Sequence, residues 1–354
     1  MKILSLGLDN SLLDKHSALA RRIIEYGGLV EFYTVIVPSQ KNENIELSAK
    51  VKIYGSGGGN KLTQLFKIYN LAKRLLRDEG YNVITVQDQY YLALIGLWLA
   101  KKIKAGLEIQ VHGFEKFSGL RKLIAQYVLP HADAVRCVSQ RLKKKLVEQF
   151  DVKEEKLTVV PIHSELRIKN YELRIKKNGE NFIFLTVGRL VAVKNIDLQI
   201  RAMAEIVKKY PATELWIIGD GPERKNYELE KNIKLFGRKD NLDEYYSKAD
   251  AFLLTSTSEG WGLAVIEAAS FSLPIIMTDV GCAGEVIKDG VSGLVIPADN
   301  KQKLVEAMLK IIEDQDLRKR LGDHAKMAVS RLPSKTEILD LYKASWHKAL
   351  AKKS

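Results

Sequence analysis

Short β-rich apolar runs alternate with amphipathic helical stretches along the whole chain, and no other feature constrains the fold as tightly. In the first half the runs are KILSLGL, VEFYTVI, VKIYGS, VITVQD, LEIQVHG, AVRCVS and LTVVPI. In the second they are FIFLTVGR, ELWIIGD, IKLFGR, FLLTS, PIIMTD and GLVIPA. Runs this apolar, joined by helical segments rather than tight turns, describe parallel strands buried on both faces. Two successive sets predict an α/β chain with two Rossmann-like domains. The length agrees, because 354 residues are many for one core and suit two.

The boundary is expected within HSELRIKNYELRIKKNGEN, His163 to Asn181, which is polar, charged and weakly periodic. That gives an N-terminal domain over 1–165, a linker over 166–180 and a C-terminal domain over 181–334. ELRIK occurs at Glu165 and again at Glu172, too short a repeat to be architectural. The closing helix, 335–354, follows Pro333 and is expected to pack back on the first domain.

Several classes are disfavoured early. Cys137 and Cys282 are too few and too far apart for a disulfide framework or a zinc site. A reducing, cytoplasmic location is expected. The first residues reach Asp9 too soon for a signal peptide. The longest apolar stretch, Tyr90 to Ala100, is about half of what a membrane-spanning helix needs.

The net charge of +13 is uneven, with 30 Lys and Arg against 19 Asp and Glu in residues 1–180, and 26 against 24 beyond. Such a basic half fits a polyanionic partner. In the helix Gln140–Phe150, Leu142, Leu146, Val147 and Phe150 form an apolar stripe flanked by Lys143, Lys144 and Lys145. Peripheral contact with an anionic membrane is expected there, with Lys101, Lys102, Arg121 and Lys122 contributing if they share the face. A merely solvated face is the alternative. Nucleic acid is not expected as a partner, although the basic composition keeps it as a lesser reading.

The segment SEGWGLAVIEA, Ser258 to Ala268, carries two glutamates seven residues apart, Glu259 and Glu267. It reads as a glycine-containing turn after a strand, then a helix beginning near Leu263. Ligands of open α/β sheets sit at the carboxyl ends of strands, where helix N-termini point at them. Free N–H groups at Leu263, Ala264 and Val265, with the helix dipole, would form a phosphate site. Gly260 and Gly262 allow positive φ and close backbone approach. The helix rises about 6 Å between Leu263 and Glu267, so a diphosphate seated at its start has one glutamate on either side. Carboxylates accept from paired hydroxyls, and a nucleotide sugar has a sugar at each end of a diphosphate. Taken alone, the segment is as compatible with a dipole-favoured helix glutamate and a solvated loop glutamate.

LTVGRLVAVKN, IIGDGPE, KLFGRKDNLDEYYSKADAFLLTS, EGWGLAVIEA and GEVIKDGVSGLVIPADN follow in the order and approximate spacing of the retaining glycosyltransferases of family 4. The chain resembles that family over nearly all of 182–300. The resemblance implies the GT-B fold, an α/β architecture of two Rossmann-like domains whose parallel sheets face a central cleft. It implies a nucleoside diphosphate sugar as donor. The diphosphate would be met by Arg189 and Lys194, beside Gly188, and by the helix start at Gly260, Gly262, Leu263 and Ala264. Glu267 would hold the ribose, Glu259 the hydroxyls of the transferred sugar, and Gly237 and Arg238 the base.

In the first half LEIQVHG places His112 where the family often has a histidine beside the donor sugar, and HADAVRCVSQRLKKKL resembles the segment that follows. Catalysis is thereby assigned to His112, Arg189, Lys194 and Glu259. Two departures stand out. The glycine-rich turn after the first strand is replaced by LGLDNSLLDKHSA, and the Asn-Gly after a proline by Ile162-His163-Ser164 after Pro161. No role is assigned to His16.

The implied reaction is departure of the diphosphate with attack from the same face, a donor phosphate oxygen taking the acceptor proton. The acceptor expected is a hydroxyl of a lipid-linked or cell-surface glycan. No metal or other cofactor is expected. The Asp-x-Asp candidate, Asp314-Gln315-Asp316, opens a charged helix, and the six histidines are scattered without a His-Glu-x-x-His. A GT-B sugar-nucleotide epimerase remains the alternative enzyme.

Overall fold

The structure, a computed structural model, describes residues 1–113, 118–164, 181–227 and 231–351. Two compact units divide the chain: Met1–Pro161 together with Pro333–Ser354, and Ile162–Leu332. The segment expected as a linker, 166–180, lies outside the described residues.

The first unit begins with β1 (Lys2–Leu6), α1 (Ala18–Gly28), β2 (Phe32–Val37), β3 (Asn42–Ser48), β4 (Val51–Ser56) and α2 (Lys61–Glu79). It continues with β5 (Val83–Val86), α3 (Tyr91–Ile103), β6 (Gly106–Val111), α4 (Gly119–His131), β7 (Ala134–Cys137), α5 (Gln140–Phe150) and β8 (Leu157–Val159). These strands form one sheet in the order β3-β4-β2-β1-β5-β6-β7-β8. Every pairing is parallel except β3 with β4, which is antiparallel. The runs expected as parallel strands all pair so, and β3, which was not among them, adds an antiparallel edge. NENIELS alternates polar and apolar residues and is largely exposed, the pattern of a solvent-facing hairpin strand rather than a buried parallel one.

Helix boundaries follow ordinary capping chemistry. Asn60 accepts from the Thr63 N–H at 2.9 Å while the Thr63 hydroxyl accepts from the Asn60 N–H, a capping box that starts α2. Gly80, with φ +67°, ends it in the left-handed region. Right-handed crossovers lay α2, α3, α4 and α5 side by side on one face of the sheet and α1 on the other. The stripe expected to face a membrane on α5 is instead spent inward: Leu142, Leu146 and Phe150 are buried, and only Val147 is exposed. Two of its lysines meet local carboxylates, Lys143 with Glu154 at 2.5 Å and Lys144 with Glu148 at 3.7 Å.

The second unit comprises β9 (Phe182–Val187), α6 (Ile196–Lys209), β10 (Thr213–Ile218), β11 (Ile233–Gly237), α7 (Asp243–Lys248) and β12 (Ala251–Leu254). After these come α8 (Leu263–Ser270), β13 (Ile275–Thr278), β14 (Leu294–Ile296), α9 (Lys301–Glu313) and α10 (Gln315–Ser330). All six strands are parallel, in the order β11-β10-β9-β12-β13-β14. The core joins Phe184, Leu215, Ile217, Leu253 and Ile276 of the sheet to Met203 and Ile206 of α6 and Leu304 and Met308 of α9.

The chain then returns to the first unit as α11 (Lys335–Ala351). Trp346 is fully buried among Tyr26, Tyr33 and Tyr342, and Tyr26 stacks on Tyr342 with ring centroids 4.5 Å apart. The Ser345 hydroxyl donates to buried Glu108 at 2.5 Å, and the Arg136 guanidinium lies 3.6 Å from the centroid of the Tyr342 ring. Aromatic burial of this size, with the Ser345–Glu108 hydrogen bond beside it, fixes α11 on the sheet face that α1 also covers. Among the described residues no helix is long and apolar enough to cross a membrane. Both cysteines are buried and form no disulfide.

Candidate functional site

In the second sheet the chain runs outward one way from β9 to β10 and β11, and the other way from β12 to β13 and β14. The strand order thus reverses between β9 and β12. Loops leaving the carboxyl ends of the two strands at such a point diverge and leave a crevice open to ligands. The candidate residues collect here.

The loop after β9 carries Gly188, Arg189 and Lys194, and the loop after β12 carries Glu259, Gly260 and Gly262. Hydrogen bonds lash them together. The Thr257 N–H donates to the Val193 carbonyl at 2.9 Å, and the Thr255 hydroxyl donates to the Asn195 carbonyl at the same distance. Buried Gln199 of α6 then donates to the Thr255 oxygen at 2.8 Å. On this frame the Lys194 Nζ meets Glu259 Oε1 at 2.5 Å, and the Ser256 hydroxyl donates to the same oxygen at 2.7 Å. The two side chains are 21% and 13% exposed, so the pair is half-desolvated yet reachable. Arg189 is exposed and, among the described residues, has no carboxylate partner.

Helix α8 starts at Gly262, whose φ of +91° only glycine adopts without strain. Of the two glycines that allow a positive φ, Gly262 adopts it and Gly260 does not. The count of free helix N–H groups is also corrected: the Val265 N–H bonds the Gly262 carbonyl at 2.9 Å, leaving Leu263 and Ala264 as the donors without a backbone partner among the described residues. Gly281, from the loop after β13, was not singled out by the sequence. A Cβ there would stand 2.6 Å from the Trp261 carbonyl oxygen, so its absence lets that loop close under the turn. The Cys282 N–H donates to the same carbonyl at 2.9 Å.

Glu267 lies one turn into α8. Its Oε2 accepts from the Tyr246 hydroxyl of α7 at 2.9 Å, and the Ser164 hydroxyl also bonds it. Desolvation raises its pKa above the usual carboxylate value, and the two hydroxyls oppose that shift. Tyr246 is another residue the sequence reading missed. It sits within DEYYSK and is buried, but no local pattern shows that it caps a carboxylate 21 residues later.

Gly237, with φ +69°, ends β11, and Arg238 beyond it is 86% exposed, 4.0 Å from Asp240. These two lie on the same edge of the sheet, beyond β10. His112 follows β6 in the first unit and is exposed. Desolvation, then the charges of Arg136 and Arg22, hold its pKa below the ordinary imidazole value. An imidazole held below its ordinary value is neutral near pH 7.

Asp314 of the Asp-x-Asp candidate caps α10, accepting from the Leu317 N–H at 2.8 Å. Among the described residues no three His, Cys, Asp or Glu side chains are grouped to hold a metal ion.

The model for Glycosyl transferases group 1 matches residues 168–327, and that for Glycosyltransferase Family 4 matches 18–162. An uncharacterized glycosyltransferase of Methanocaldococcus jannaschii is 28% identical over 277 residues, 75% of each chain. Among solved structures, sucrose-phosphate synthase from Thermosynechococcus elongatus superposes with a TM-score of 0.79 at 19% identity, covering 99% of this chain and 100% of that one. Anabaena HepE in complex with UDP-glucose gives 0.76 at 18% identity, covering 97% and 99%.

Proposed function

The chain belongs to the group 1, family 4 glycosyltransferases and has the GT-B fold, and on that premise we propose that it transfers a sugar, with retained anomeric configuration, from a nucleoside diphosphate to a hydroxyl of a glycan or glycolipid. One observation carries the reading. At the strand-order reversal the loop after β9, carrying Arg189 and Lys194, is bonded to the loop that leads into α8, Lys194 meets Glu259 at 2.5 Å, and Glu267 stands one turn into α8 with Tyr246 as its partner.

Each group has a task in this scheme. Arg189 and the Leu263 and Ala264 N–H groups take the diphosphate, whose charge grows as the sugar departs. Lys194 turns from Glu259 toward the leaving phosphate when donor arrives, while Ser256 keeps hold of Glu259. Glu259 then accepts from hydroxyls of the transferred sugar, and Glu267 from the ribose. Gly237 and Arg238 flank the base. His112 is assigned, from the motif it matches, as a neutral hydrogen-bonding group to the donor sugar. The acceptor attacks from the face the diphosphate leaves, and a phosphate oxygen receives its proton. No metal is required, because the cations and the helix start supply the neutralising charge.

The UDP-glucose held by the Anabaena relative supports UDP-glucose as the first donor to test. The protein is incubated with UDP-glucose and other nucleotide sugars, with and without glycan and glycolipid acceptors, and products are followed by proton NMR. An α-linked product from an α-linked donor supports the proposal. An inverted product refutes retention, and epimerised donor without transfer moves the chain to the epimerase reading.

A further inference from the structure

We propose that the outer surface of the α2–α5 layer is a docking face for an anionic lipid bilayer. Three observations converge on it. First, these four helices carry thirteen Lys and Arg against three Asp and Glu, whereas α1 and α11, on the opposite face of the same sheet, carry five against three. The excess positive charge of the first unit is thus laid on one side of it.

Second, the same layer exposes large apolar side chains. Of twelve such residues among those described, eight lie on it. They include Leu62 and Phe66 of α2, 80% and 68% exposed, Trp98 of α3 at 55%, and Leu120 and Leu123 of α4 at 61% and 64%. On α3, Tyr91, Leu94 and Trp98 fall on one helical face that continues into Lys101 and Lys102. On α4, Leu120, Leu123 and Tyr127 do the same. Third, a cavity of about 370 Å³ opens between α2 and the edge strands, lined by Lys67, Asn70, Leu71 and Arg74 of α2 with Asn42 of β3 and Ser56 of β4. It can take a phosphorylated headgroup.

Basic side chains beside exposed leucines and aromatics match the boundary between headgroups and acyl chains. A nucleic acid would use the charge but offers nothing to the aliphatic Leu62, Leu120 and Leu123. The parallel crossovers put every helix start in this layer at the carboxyl end of the sheet. Leu62, Phe66, Tyr91, Leu120 and Leu123 all belong to the first two turns, so the apolar contact is made at the end where His112 lies. A bilayer docked there would present lipid-borne acceptors to the strand ends.

The test uses the full chain and no donor, so its failure is distinct from failure of the proposed reaction. Binding is measured by sedimentation with vesicles of phosphatidylcholine alone and with about a third phosphatidylglycerol. Binding is expected to the anionic vesicles only, to fall as salt rises from low to molar concentration, and to shift Trp98 emission to the blue. The shift should vanish in Trp98→Phe. The Lys101→Glu/Lys102→Glu variant should weaken partition by about tenfold or more, and Leu120→Ser/Leu123→Ser should weaken it at constant charge. Unchanged circular dichroism establishes that these surface variants fold. The proposal is overturned by no binding at low salt, by equal binding to neutral vesicles, or by binding indifferent to both variants. It is equally overturned if the face instead holds a second copy, seen as self-association lost in Leu120→Ser/Leu123→Ser, or if RNA binds and the leucine variant leaves that binding intact.

Discussion

Replacing Lys194 by alanine separates what the Lys194–Glu259 pair does for the fold from what it does for the donor. The side chains are 21% and 13% exposed and 2.5 Å apart. Removing one partner of a fully buried pair costs about 3–5 kcal/mol, while an exposed pair contributes under about 1 kcal/mol. With partial solvent access and Ser256 still donating to Glu259, Lys194→Ala should cost about 1–2 kcal/mol, between those limits. For a unit of this size that lowers Tm by roughly 2–8 °C. Adding Glu259→Gln removes the stranded charge, so the double variant should regain at least half of the lost stability. Donor binding should behave differently. Loss of one charge-assisted bond to phosphate, about 1.5–3 kcal/mol, weakens nucleoside diphosphate binding by roughly tenfold to a hundredfold, and the second substitution should not restore it. Differential scanning calorimetry of the free proteins and titration calorimetry with the diphosphate read the two effects separately. A single variant as stable as the parent, or a double variant with parental affinity, refutes the assignment.

Three further expectations follow from the two glutamates and the cations. Glu267→Ala should weaken free nucleoside diphosphate and intact donor alike, whereas Glu259→Ala should spare the free diphosphate and impair transfer; calorimetry giving equal losses on the free diphosphate rejects this division. Because desolvation raises the Glu267 pKa above its usual 4.5, the carboxylate is lost as acceptor earlier than an ordinary glutamate on acidification. The affinity ratio of parent to Glu267→Gln should therefore fall between pH 7 and pH 5, a comparison that cancels titration of the diphosphate itself, and a flat ratio counts against it. Activity should survive EDTA, and abolition by chelation with recovery in magnesium or manganese would end the metal-free account.

The strands were legible because burial on both faces writes continuous apolar runs such as FIFLTV and VITV. β3 was not, because NENIELS owes its pairing to β4 and its exposure to its place at the sheet edge, neither of which is local. The stripe on α5 was legible as one apolar face, but periodicity says only that a face is covered, and here the cover is the protein's own core. On α3 the reverse holds: YYLALIGLWLA is apolar all round, so nothing local distinguishes exposed Trp98 from buried Leu97 and Leu99. At the site, the glycines marked a tight turn without telling which of Gly260 and Gly262 would take the left-handed conformation. The ties from Glu259 to Lys194 and from Glu267 to Tyr246 span 65 and 21 residues. Only the assembled sheet brings them together.

The central claim is that a diphosphate binds to Arg189 and the start of α8. Titration calorimetry of UDP, GDP, ADP and dTDP against the parent and Arg189→Ala tests it most directly, since Arg189 is exposed and has no carboxylate partner among the described residues. At least one diphosphate should bind the parent and lose roughly tenfold or more in Arg189→Ala, with no change in the variant's Tm. Binding of none of them, or affinity untouched by the loss of Arg189, would contradict the account.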